Sequence, residues 1–104
     1  MQVPIACTLR PESASARIEE WRHFLANSTG TTERVSDVQL RLKLNESAQA
    51  LQAAVDLAQR EKACCGFFEF SIVLEADAAW LSVMVPPDAT EVLADFASLL
   101  PPPV

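Results

Sequence analysis

The chain has 104 residues, half of them apolar, and a formal net charge of −6. That is the composition of one globular domain and not of a disordered chain. Fourteen acidic against eight basic residues argue against contact with nucleic-acid phosphates or an anionic membrane surface through this chain alone.

No apolar run approaches the roughly 20 residues that span a bilayer. Met1–Ala6 carries neither a basic flank nor a cleavage pattern, so the expected location is the cytoplasm. Three cysteines should be reduced there, and an odd number fits poorly with a disulfide framework. They are therefore metal ligands, reactive thiols or core filler. With one histidine and no tyrosine, ordinary acid–base machinery is sparse.

In chain order, Val3–Leu9 alternates as a strand, with Val3, Ile5, Cys7 and Leu9 on one face. If that face is the buried one, Cys7 points into the core. Glu12–Asn27 reads as a helix whose apolar stripe is Ile18, Trp21, Phe24 and Leu25. Residues 27–32, Asn-Ser-Thr-Gly-Thr-Thr, have the composition of a turn. Val38–Leu44 is the cleanest strand, with Val38, Leu40, Leu42 and Leu44 inward and Gln39, Arg41 and Lys43 toward water. Asn45 or Ser47 can cap a second helix running to about Cys65, and Gly66 follows where a helix commonly ends. Phe68–Leu74 alternates with Phe68, Phe70, Ile72 and Leu74 inward. After a turn at 75–78, Trp80–Val85 returns as its partner, with Leu81, Val83 and Val85 toward the core. Pro86 and Pro87 stop that strand. Asp88, with Glu91 three residues on, predicts a capped last helix that buries Val92, Phe96, Leu99 and Leu100.

The predicted order is β-α-β-α-β-β-α. It implies an α+β two-layer sandwich, a mostly antiparallel sheet with helices on one face. Residues 1–100 make one domain, and 101–104 a proline-rich tail.

The stretch with chemical character is Arg60-Glu61-Lys62-Ala63-Cys64-Cys65-Gly66-Phe67-Phe68-Glu69-Phe70. Neighbouring helical residues project about 100° apart, so Cys64 and Cys65 converge on one ion only if the last turn opens at Gly66. A helix C-terminus and Glu61 one turn back both disfavour a free thiolate. The same negative character attracts a cation, and a bound metal deprotonates thiols outright. Three sulfurs suit mercury(II), arsenic(III), copper(I) or cadmium, whereas structural zinc wants four ligands. The expected site is Cys7, Cys64 and Cys65, with Glu61 beside them as an occasional ligand. Against it stands plain packing, since free cysteine often serves as a small buried hydrophobe. His23, Arg17 and Arg22 read as helix-surface residues, and Trp21 and Trp80 as core or rim.

Ile5-Ala6-Cys7-Thr8-Leu9, Arg17, Trp21-Arg22, the leucine-alternating strand and Glu61-x-x-Cys64-Cys65-x-Phe67-Phe68-x-Phe70 together resemble a group of small uncharacterised bacterial proteins, common in actinobacteria. The pattern spans nearly the whole chain. It also resembles a module appended to the DNA-binding part of some MerR-type regulators, which answer to heavy metals and other stresses. The resemblance implies a sensing or binding module in which Cys7, Glu61, Cys64 and Cys65 are the positions that match. The winged helix-turn-helix and basic surface of such regulators are missing, so DNA binding is not implied.

The expectation is binding or sensing of a soft metal or metalloid ion through three thiols. One alternative is a cysteine-dependent enzyme or thiol redox sensor. The other is a small-molecule-binding or dimerisation module with structural cysteines, its edge strands offering homodimer contacts.

Overall fold

The structure, a computed structural model, describes residues 11–64 and 66–100. The elements are α1 (Pro11–Ser28), β1 (Thr29–Ser36), β2 (Gln39–Leu44), α2 (Ala48–Cys64), β3 (Glu69–Leu74), β4 (Ala79–Met84), a 3-10 turn (Pro87–Ala89) and α3 (Thr90–Ala97). The four strands form one antiparallel sheet in the order β1-β2-β4-β3. The protein is thus α+β, as the patterning implied. The strand expected at Val3–Leu9 lies outside the described residues.

β1 corrects the sequence reading, which took the start of this segment for a turn. It is exposed along nearly its whole length. Among the described residues it is an edge strand, paired only to β2 and with register shifts at Thr29/Thr32 and Arg34/Ser36. Neither face is buried, so it carries no apolar alternation, and backbone pairing alone makes it a strand.

Cross-strand rows build the core face of the sheet. Leu40, Val83 and Phe70 align, then Leu42, Leu81 and Ile72, then Leu44, Ala79 and Leu74. The β2 and β4 members of these rows are buried. The rows open toward β3, the outermost strand on that side among the described residues. Leu74, at the end of β3, is 68% exposed and does not point into the core as expected. Trp21, Phe24 and Leu25 of α1, Ala54 and Leu57 of α2, and Leu93 and Phe96 of α3 complete one buried cluster with these rows. The helices therefore lie on one face of the sheet.

The other face is less wet than strict alternation suggested. The Arg41 guanidinium lies 3.9 Å above the Trp80 ring, and Gln39 Nε2 donates to Ser82 Oγ at 2.8 Å. Trp80 Nε1 reaches Glu75 Oε1 at 2.9 Å, and Arg41 pairs with Glu33 at 3.2 Å. Trp80 and Ser82 are buried by this packing. The arginine stem covers the indole while its head keeps an ionic partner.

Helix ends follow local chemistry in part. Ser47 Oγ accepts the Ala50 N–H at 3.1 Å, a side-chain cap for α2. At the end of α1 the carbonyls of Asn27 and Ser28 accept from the Asn45 side chain and backbone, both at 2.9 Å. Orphan carbonyls are thereby satisfied without a glycine. Asp88 does not cap α3: it sits inside the 3-10 turn, and Ala89 is the N-cap residue, with no side-chain hydrogen bond. Gly66 follows α2, but no described glycine has positive φ, so it is not a left-handed helix cap.

Candidate functional site

Glu61 is the residue around which the site is built. It lies in the last turns of α2. The structure buries it completely, at 0% exposure. Its Oε1 accepts from Trp21 Nε1 at 3.0 Å and from Arg17 Nη1 at 3.3 Å. Among the described residues its Oε2 has no hydrogen-bond partner. A carboxylate seldom goes fully inside unless it is paired, and here both donors crowd one oxygen.

Arg17 and Trp21 are one turn apart on α1, so they face α2 together. Arg17 is buried, not the surface residue expected, and Trp21 is wholly inside. The phenylalanines that follow the cysteine pair hold the indole in place. Trp21 stacks on Phe70 with ring centres 6.1 Å apart and meets Phe96 edge-on at 4.9 Å. Phe68 packs against both Phe70 and Phe96. The aromatic run after Gly66 is therefore the wall that fixes the donor to Glu61.

Burial pushes the Glu61 carboxyl above its ordinary value, and the Trp21 hydrogen bond and the Arg17 charge act in the opposite direction. One residue back on α2, Arg60 donates to Glu20 at 3.1 and 2.7 Å and to Asp56 at 3.1 and 2.8 Å. Its hydrogen bond holds Glu20 below the usual carboxylate range, and Glu20 in turn raises Arg60. This clasp ties α1 to α2 on the solvent side, while the Arg17–Glu61 pair ties them inside.

These contacts also set direction. Arg17 lies beside Glu61, whereas Ser28 lies beside Asn45, ahead of α2. The two helices therefore run antiparallel, and α1 begins at the end where α2 finishes. Cys64 is the last residue of α2, one turn beyond Glu61. Cys7 and Cys65 lie outside the described residues, and Cys64 enters only as that helix end. Among the described residues no three His, Cys, Asp or Glu side chains converge as a metal site.

A groove of about 960 Å³ runs between the outer sides of α1 and α2. Its polar residues largely pair with one another: Arg60 with Glu20 and Asp56, and Asn27 with His23. His23 is exposed, as read from the sequence.

What the sequence reading missed is the Arg17–Trp21–Glu61 unit. The apolar side of the second helix, through Ala54, Ala58 and Leu57, does reach Glu61 at steps of three and four in the sequence; its internal partners on the first helix are what the spacing does not give. An acidic residue in that register must find internal partners. Comparison of the chain with protein families, with curated proteins and with solved structures finds no match.

Proposed function

We propose that the protein captures a soft metal or metalloid ion of the mercury, arsenic, copper or cadmium kind through Cys7, Cys64 and Cys65, with Glu61 beside the sulfurs. It would act in the cytoplasm, where thiols stay reduced, as a binding or sensing protein of a bacterial stress response. The observation that carries the reading is the complete burial of Glu61, with an Oε2 that has no partner among the described residues, one helical turn before Cys64. A carboxylate that has given up solvent, with one oxygen unpartnered among the described residues, is open to a cation or a proton, and two cysteines follow it in the sequence.

Chain direction supports the same reading. α1 begins beside the end of α2, and its first residue, Pro11, comes only four positions after Cys7. Such a span reaches at most about 14 Å.

Titration of the reduced protein with mercury(II) or arsenite should bind one ion per chain with matching loss of free thiol. Binding by Cys64→Ser as tight as the parent's would refute the site. One observation also favours a second reading. A buried carboxyl with a raised proton affinity can accept a thiol proton, so that one cysteine acts as a nucleophile. Iodoacetamide labelling against pH separates the two, because a nucleophile titrates at unusually low pH and an empty ion trap does not.

A further inference from the structure

The groove between α1 and α2, at about 960 Å³, has the size of a small-molecule site, roughly 300–1,000 Å³. It is bridged at both ends. At one, Arg60 of α2 holds Glu20 of α1 at 2.7 Å. At the other, Asn45 donates to the carbonyls of Asn27 and Ser28, both at 2.9 Å. Glu20 and Asn27 are about two turns apart on α1, so the stretch between the bridges is roughly 10 Å long. A partner helix laid along the groove would have to cross both bridges, whereas a small molecule fits between them.

The floor is the outer surface of the core. Phe24 and Leu57 belong to the buried cluster, and Ala50 and Ala53 beside them leave depth because their side chains are short. The charges are uneven along the length. One end carries Glu19, Glu20 and Asp56 against the single guanidinium of Arg60. Glu19 has a partner outside the lining, Arg22, but the two side chains are 72% and 57% exposed, and such a pair is weak in water. Arg60 engages both oxygens of Glu20, yet its contacts to Asp56 all use Oδ2, so Oδ1 is open among the described residues. The other end offers the neutral side chains of Asn27, Asn45 and Gln49.

We infer that this groove binds a small organic cation, with an apolar body over Phe24 and Leu57 and an ammonium group at the Glu20–Asp56 end. An anion is disfavoured there. The guanidinium it would need is already shared by two carboxylates, and the chain as a whole stands at −6. The site uses none of the cysteines, so it stands or falls apart from the ion-binding reading.

The test titrates the full chain at matched pH with 4-phenylbutylamine, 4-phenylbutanol and 4-phenylbutyrate, which share one body and differ in charge. His23 is the single histidine and lines the groove, so its ring signals in proton NMR report binding at this place. The amine should move them and bind at least fivefold more tightly than the alcohol, with the butyrate weaker still. That preference should shrink in about 1 M salt, where charges are screened within about 3 Å. Asp56→Asn, a change at an exposed side chain, should weaken the amine several-fold and leave the alcohol within twofold. Arg60→Gln should tighten the amine, because it removes the competing cation. Butyrate binding as tight as the amine's, loss of amine binding in Arg60→Gln, or His23 signals that the amine leaves unmoved would each overturn the inference.

Discussion

Replacing Arg17 by methionine isolates the internal ion pair. The substitution keeps most of the apolar stem and removes the charge 3.3 Å from Glu61 Oε1. The arginine side chain is 10% exposed and the glutamate 0%, so water cannot replace the lost partner without opening the helix interface. Removing one member of a buried pair typically costs about 3–5 kcal/mol. Two features place this variant near the lower end. Trp21 still donates to Oε1 at 3.0 Å, and the carboxyl can escape its charge by taking up a proton. Burial already raises its proton affinity above the ordinary 4.5, and loss of the Arg17 charge raises it further. The folded variant then binds the proton more tightly than the unfolded chain, so its stability rises as pH falls from neutral toward 4.5. Urea unfolding followed by far-ultraviolet circular dichroism at two pH values, near neutral and mildly acidic, measures both effects. The expected loss is about 3 kcal/mol near neutral pH, a large part of the total stability of a small domain, and distinctly less in acid. A loss below about 1 kcal/mol, the range of a surface pair, or one indifferent to pH, would refute the reasoning.

Three further outcomes follow from single contacts. Ser47→Ala should cost about 1 kcal/mol by removing the α2 cap, whereas Asp88→Ala should stay within about 0.5 kcal/mol because Asp88 caps nothing; thermal melts of the two variants compare them directly. Arg41→Ala should lose about 1 kcal/mol from its stacking on Trp80 and should make Trp80 accessible to acrylamide, so unchanged quenching would count against the stacking. The folded-state proton affinity of Glu20 is lowered by Arg60, so its contribution is present above 4.5 and fades as pH falls through the lower folded value. Arg60→Met should remove that part of the acid dependence, a small one given the exposure of Glu20, and acid unfolding curves of the two proteins would show it.

Most of the secondary structure was legible in residue order alone. Leu40, Leu42 and Leu44 announce a half-buried strand because side chains alternate across a sheet. Trp21, Phe24 and Leu25 announce a helix face because turns recur every three to four residues. The serine ahead of α2 names its own role through a hydroxyl within reach of a free N–H. None of this needs knowledge of distant neighbours. Cys64, Cys65 and Glu61 could be singled out the same way, from local spacing at a helix end.

Tertiary packing decided the rest. Thr29–Ser36 is a strand only because β2 offers its edge, a fact invisible in a polar segment with no buried face. Leu74 alternates correctly yet is exposed, because its place at the end of the outermost described strand outweighs its pattern. Asp88 has the right residue type for a cap, but the 3-10 turn after two prolines moves the helix start past it. Glu61 became the centre of the candidate site through Arg17 and Trp21, 44 and 40 residues away in the chain. Local pattern states which way a side chain points along its own element. Which partner waits there, and whether a charge is satisfied, depends on the folded chain bringing distant segments together.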